Sequence, residues 1–207
     1  MISAIEALER LHEGNRRFVQ GVRSLDTLMS QTRRSEFVAR QEPFAIILGC
    51  SDSRVPVEIV FDQGLGDLFV IRVAGNIVAP SQVGSVEFAA EQFGTRLVVV
   101  LGHTRCGAVQ ATLEELQRPS ESRSRNLRSI VDRIRPSLEG LLATELRHTQ
   151  EALARQAVRA NVRVSANHLR HGSEILEQLI INDGLLVVGA EYSLETGGVD
   201  FFDGVPE

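Results

Sequence analysis

The 207-residue chain is 43% hydrophobic and 24% charged, the composition of a soluble globular protein of one ordinary domain length. Its formal net charge of −5 argues against a nucleic-acid-binding surface, and no apolar run approaches the roughly 20 residues of a membrane span. All 22 basic residues are arginine, which excludes Schiff-base chemistry and a P-loop lysine, since both need an amine.

The first six residues carry neither the basic n-region nor the apolar h-region of a secretory signal, and two cysteines are too few for a disulfide framework. A reduced, cytoplasmic compartment is expected. Ser3-Ala4-Ile5-Glu6 has the spacing of a capping box, and Ile5, Leu8 and Leu11 follow at helical intervals. Residues 21–42 are polar and irregular, with Arg33-Arg34 reading as a solvated patch. Residues 44–49 form a short branched apolar run bounded by glycine, the pattern of a buried parallel strand. A short helix over 55–61 turns Val57, Val60 and Phe61 inward, 63–67 make a turn, and 68–73 a second strand. The Gly-x-Gly at 64–66 precedes a strand and lacks a third glycine at the dinucleotide spacing, so it fails as a nucleotide fingerprint.

Ser81 is expected to cap a helix running to Gln92, with Val83, Val86 and Ala90 inward and Gly94 stopping it. A third strand over 97–102 leads to His103, and a helix starts near Gly107 with Val109, Leu113 and Leu116 on its inner stripe. Composition makes 118–126 a surface loop. Helices are expected over 126–138, whose many arginines read as a solvated face, over 144–171 as one long element, and over 173–182. A fourth strand over 185–189 and an antiparallel one over 199–202, joined through Thr196-Gly197-Gly198, complete the chain. The fold class is α/β: about four parallel strands plus a C-terminal antiparallel edge strand, flanked by helices, with an N-terminal helical arm. It is read as one domain over 1–207, with an arm (1–42), a metal-site core (43–117), and helices with a C-terminal hairpin (118–207).

Two groups of residues carry chemistry. Cys50-Ser51-Asp52-Ser53-Arg54 stands directly after the first strand and His103-Thr104-Arg105-Cys106-Gly107 directly after the third. Ligands of an open α/β sheet bind beyond the carboxyl ends of its strands, so both groups share one edge with Ala74-Gly75-Asn76. Two thiols, an imidazole and a carboxylate suit one zinc ion. Cys50, His103 and Cys106 supply three ligands; the fourth place goes to water, giving a catalytic site, or to Asp52, which closes it. Two thiolates cancel the formal charge of Zn²⁺, so such a site acidifies its water less than an all-histidine one. Asp52 can reach the metal or its water, and Arg54 can hold Asp52 as a charge-assisted pair. The bland alternative is two buried structural cysteines and a satisfied histidine. A thiol phosphatase is ruled out, because three residues between Cys50 and Arg54 are too few for a phosphate-cradling loop.

CSDSR followed by HTRC, with 53 residues from Cys50 to His103, resembles the β-class carbonic anhydrases, most like the plant-like, open-site type. The resemblance implies one Zn²⁺ per chain and reversible hydration of CO₂ to bicarbonate and a proton, by attack of zinc-bound hydroxide. It casts Asp52 and Arg54 as a catalytic dyad, with Asp52 a metal ligand only in a closed form. Gln41 matches a glutamine that donates to substrate oxygen, often across the subunit boundary. Phe69 and Ala74 match apolar pocket positions, and Gly107 matches the glycine whose backbone N–H faces substrate. Phe88 stands where plant-type members carry tyrosine, so that hydroxyl contact is lost. Ile47 stands where some bacterial members carry a tryptophan of an inhibitory bicarbonate site, although Val55 and Arg72 match neighbouring positions. A homo-oligomer, dimer or tetramer, follows from the same resemblance, with the N-terminal helix packing either on its own core or on a second subunit. Two other functions stay open: hydrolysis of carbonyl sulfide or carbon disulfide on the same scaffold, and a closed structural or bicarbonate-sensing zinc module.

Overall fold

In a computed structural model, which describes residues 2–25, 27, 38, 40–118 and 124–206, five strands form one sheet. β1 (Ala45–Gly49), β2 (Leu68–Arg72), β3 (Leu97–His103) and β4 (Leu186–Tyr192) run parallel, and β5 (Val199–Asp203) pairs antiparallel with β4. The spatial order is β2-β1-β3-β4-β5. From β1 the chain moves outward to β2, whereas from β3 it moves the other way to β4. β1 and β3 are therefore neighbours whose connections part in opposite directions, which opens a crevice at their carboxyl ends. Their ends are level, since Gly49 pairs with Leu101.

The central strands are fully buried on both faces, as their unbroken apolar sequences require. On one face Ile47, Val99, Leu101 and Val188 meet Ala4, Ala7, Leu8 and Leu11 of α1 (Ala4–Val19) and Val57 and Val60 of α2 (Val57–Val60). On the other, Ile46, Leu48, Val98 and Val100 meet α3 (Pro80–Gln92) and α6 (Gln150–His171) through Val86, Ala90, Val162 and Ala166. A third apolar cluster lies over the carboxyl edge. It joins Cys50 and Cys106 to Val109 and Leu113 of α4 (Gly107–Gln117), Ile134 and Leu138 of α5 (Arg125–Leu142), and Leu153 and Val158 of α6. α7 (Glu174–Asn182), capped by the Ser173 hydroxyl, packs Leu176 beneath the second face. Among the described residues no helix is long and apolar enough to cross a membrane.

Local details depart from the sequence reading: the helix expected over 126–138 runs on to Leu142, the fourth strand continues to Tyr192, and three further places differ in kind. The capping box at Ser3 and Glu6 forms, but Ile5 points outward at 45% exposure, because Ala4, Ala7, Leu8 and Leu11 define the buried stripe instead. α3 begins at Pro80 behind Ala79, not at Ser81; proline needs no intrahelical donor at the first position and its φ is preset for a helix. The long helix over 144–171 is broken into a 3-10 turn (Glu145–His148) and α6, with Thr149 non-helical between them. The Thr144 hydroxyl, accepting from Leu146 N, offers the backbone a competing local bond. Arg33 and Arg34 lie outside the described residues.

Candidate metal centre

Cys50 is the first residue past β1, His103 the last of β3, and Cys106 the cap of α4. Between His103 and Cys106 the chain must reverse within two residues, and Arg105 does so with a φ of 56°. The result brings the Cys50, His103 and Cys106 ligand atoms within 4.8 Å of one another, all three buried. His103 is fixed through Nδ1, 2.9 Å from the Thr104 carbonyl, so its Nε2 faces the thiols. That Nε2 is buried and has no hydrogen-bond partner among the described residues. An orphaned imidazole nitrogen beside two thiols is a poor protein interior and a good soft-metal site. The donor set fits zinc.

The thiols are electrically unequal. The hydrogen bond Cys50 accepts from Cys106 pushes the Cys50 thiol down, and the same contact, with burial, pushes Cys106 up. Burial is the largest single influence on His103 and works against its charge, but the Cys50 sulfur, the Thr104 carbonyl and the Asp52 carboxylate together outweigh it and raise its pKa. This is a cluster short of positive charge; a divalent cation would take both thiols as thiolates and leave the imidazole neutral.

Asp52 stands beside the cluster without joining it. Its carboxylate accepts from Arg54 Nε at 2.9 Å and Nη2 at 2.7 Å, a bidentate pair, and from the Arg54 backbone N–H at 3.0 Å. Those bonds hold the carboxyl well below the usual carboxylate range. Its Oδ2 lies 3.8 Å from His103 Nε2, so a small rotation separates the Arg54-bound position from the ligand atoms.

Other groups hold this loop. The sequence already places Arg72 and the 74–76 turn at this edge, whereas it leaves Glu195 unmarked, since nothing local points to its partner Thr104, 91 residues earlier. Arg72, at the end of β2, donates to the Cys50 carbonyl at 3.1 Å and the Asp52 carbonyl at 2.6 Å. Glu195 accepts from the Thr104 hydroxyl at 2.8 Å and pairs with Arg105 at 2.8 Å, bracing the 104–106 turn from the loop after β4. Gly75 donates its N–H to Cys50 Sγ at 3.3 Å.

The remaining expected pocket residues divide into two groups. Ala74 and Gly107 lie at the edge, Ala74 opening the 3-10 turn Ala74–Asn76 and Gly107 opening α4. Cys106 and Gly107 border a cavity of about 750 Å³ reaching to Arg155 and Glu195. Gln41, Phe69 and Phe88 are not brought to the cluster of their own chain. Gln41 is exposed and precedes the amino end of β1, and Phe69 pairs in register with Ile46, well back from Cys50. Phe69 packs with Phe88 and Phe93, centroids 6.2 and 6.0 Å away, and Phe88 is 51% exposed.

The family profile described as carbonic anhydrase matches residues 45–199. Carbonic anhydrase 2 of Mycobacterium tuberculosis is 37% identical over 201 residues, covering 93% of this chain and 90% of the relative. A carbonic anhydrase of Mycolicibacterium smegmatis is 37% identical over 204 residues, covering 95% and 92%. Among solved structures, a β-carbonic anhydrase of the fungus Aspergillus fumigatus superposes with a TM-score of 0.75 at 26% identity, covering 87% of this chain and 86% of that one.

Proposed function

Because the chain belongs to the β-carbonic anhydrase family, we propose that it hydrates carbon dioxide reversibly to bicarbonate and a proton, with one zinc ion held by Cys50, His103 and Cys106. The observation that carries this reading is the bidentate Asp52–Arg54 pair beside a cluster of three donors. With Asp52 drawn to Arg54, the carboxylate would leave one position of a bound zinc ion open to water. The bound ion supplies Lewis acidity, lowering the pKa of that water so that it becomes a nucleophile toward CO₂ at near-neutral pH.

The protein's own groups orient the reaction. Asp52, held ionised, only accepts hydrogen bonds, so it takes the remaining proton of the nucleophile in a hydrogen bond and turns a lone pair toward the substrate carbon. Gly107 opens α4, so its N–H has no acceptor within the helix and is placed to donate to a substrate oxygen. The apolar cluster behind Cys50 and Cys106 excludes water on the far side. Gln41, Phe69 and Phe88 serve the site of a second copy, in keeping with their distance from their own cluster and the exposure of Phe88 and Ile5. A homo-oligomer follows. Both cysteines are free thiols at the proposed metal centre, which fits a reducing compartment.

The test is stopped-flow CO₂ hydration from about pH 6.5 to 9, across the expected titration of metal-bound water, on protein of known zinc content. Activity rising with pH is expected. Inactivity throughout at one zinc per chain would overturn the reading; turnover of carbonyl sulfide by that preparation, or Asp52 on the metal at every pH, would show which alternative replaces it.

A further inference from the structure

A dithiolate donor set blunts the effect of zinc on its water, because the sulfurs donate charge that cancels the ion's own. A hydrogen bond to a ligating sulfur reverses part of that donation. Gly75 makes one, its N–H 3.3 Å from Cys50 Sγ. The turn that aims it is an awkward one. Gly75 has a φ of +70°, and a Cβ there would come 2.8 Å from Ile134 Cδ1 and 3.0 Å from Ala108 Cβ. The next residue, Asn76, also has a positive φ, 43°. Gly75 adopts this conformation freely, but Asn76 does so at a conformational cost that surrounding contacts must offset.

The hold comes from α6. Asn161 Nδ2 donates to the Gly75 carbonyl at 2.8 Å, and Ser165 Oγ donates to the Asn76 carbonyl at 3.0 Å. The two side chains are one helical turn apart on one face, 1% and 4% exposed, in a stripe whose other buried members, Leu153, Ala157, Val158, Val162, Ala166 and Leu169, are all apolar. Polar side chains in such a stripe are costly unless hydrogen-bonded, and both bonds go to the same three-residue turn. Asn161 Oδ1 and Asn76 Nδ2 remain buried without a hydrogen-bond partner among the described residues, a cost that packing alone would have removed by substituting apolar residues.

We infer that Asn161 and Ser165 are positioning residues for the metal: they lock the 74–76 turn so that the Gly75 N–H stays on the Cys50 sulfur and restores Lewis acidity that the second thiolate takes away. The inference rests on the zinc reading above. It is tested with the cobalt(II)-substituted enzyme, in which the sulfur-to-metal charge-transfer band reports how strongly the thiolates donate. Asn161→Leu, Ser165→Ala and the double variant should move that band to longer wavelength. They should also lower kcat for CO₂ hydration by about tenfold to a hundredfold with little change in KM. Ser165→Thr, which keeps the hydroxyl, should restore both. Variants that fold, or merely lose thermal stability, with band and kcat unmoved would overturn the positioning role. If the double variant does not fold, Ser165→Ala alone decides by the same two readouts. Absence of a thiolate band in the wild-type cobalt protein would strike the metal centre itself, so the two failures are distinguishable.

Discussion

Arg54 and Arg72 both grip the loop after β1, but they hold different atoms and should fail differently. Arg72 binds two backbone carbonyls and shapes the loop, whereas Arg54 binds the Asp52 carboxylate and sets where it points. Replacing Arg54 with alanine frees an oxygen already 3.8 Å from His103 Nε2. The carboxylate is then expected to turn to the metal and displace its water, seen by X-ray absorption as a carboxylate carbon behind the single oxygen ligand, with a loss of neutral-pH activity of at least about tenfold. Arg54→Lys should not rescue, since an ammonium cannot make the bidentate pair. Full activity in Arg54→Ala at neutral pH would refute this gating. Asp52 and Arg54 were legible in the sequence because the pair is local, two residues apart. Asn161 was not: its partner is 86 residues distant, and the only clue was a pair of polar residues, 161 and 165, on an apolar helical stripe.

At the level of elements, what could be read was what depends on burial: four apolar runs became four parallel strands, and their carboxyl ends carry the site. What could not be read was competition between neighbours of similar free energy, such as Ala79-Pro80 against Ser81 for the start of α3, or Thr149 interrupting a helical pattern. Close approach is likewise invisible until the partner is known. α1 crosses the α2 corner so tightly at Gly14 that a Cβ there would collide with the Phe61 carbonyl oxygen. The adjacent Asn15 fixes the crossing, donating to the Val60 and Gly197 carbonyls and accepting from Val199 N at 2.8 Å. Gly14→Ala should therefore destabilise the protein by about 1–3 kcal/mol despite alanine's better helix propensity. The urea midpoint measures it; an unchanged or raised midpoint would mean that α1 shifts freely and that this contact does not define its seat.

For the whole molecule, two of the groups that couple stability to pH are carboxyls that folding perturbs in opposite senses. Asp52 is depressed by Arg54, so its contribution is present above the unfolded value of about 3.9 and fades as pH falls toward the folded one. Glu191 is the reverse case. It sits on β4, between β3 and β5, and burial raises its pKa although Arg159 of α6, 3.3 Å away, pulls it down. Arg159 is shared with Asp200 at 2.9 Å, and Glu191 Oε1 is buried without a hydrogen-bond partner among the described residues. Between the unfolded glutamate value of about 4.3 and the raised folded one, the folded state binds more protons, so stability falls as pH rises through that window. Glu191→Gln removes this titration while keeping the shape. The difference in Tm, variant minus wild type, should grow in the variant's favour as pH climbs from about 4.3 toward neutrality. Its value at any single pH also contains the lost Arg159 pair, so the slope is the diagnostic quantity. A flat or opposite slope would mean that Arg159 outweighs burial and that Glu191 is a fully paired charge.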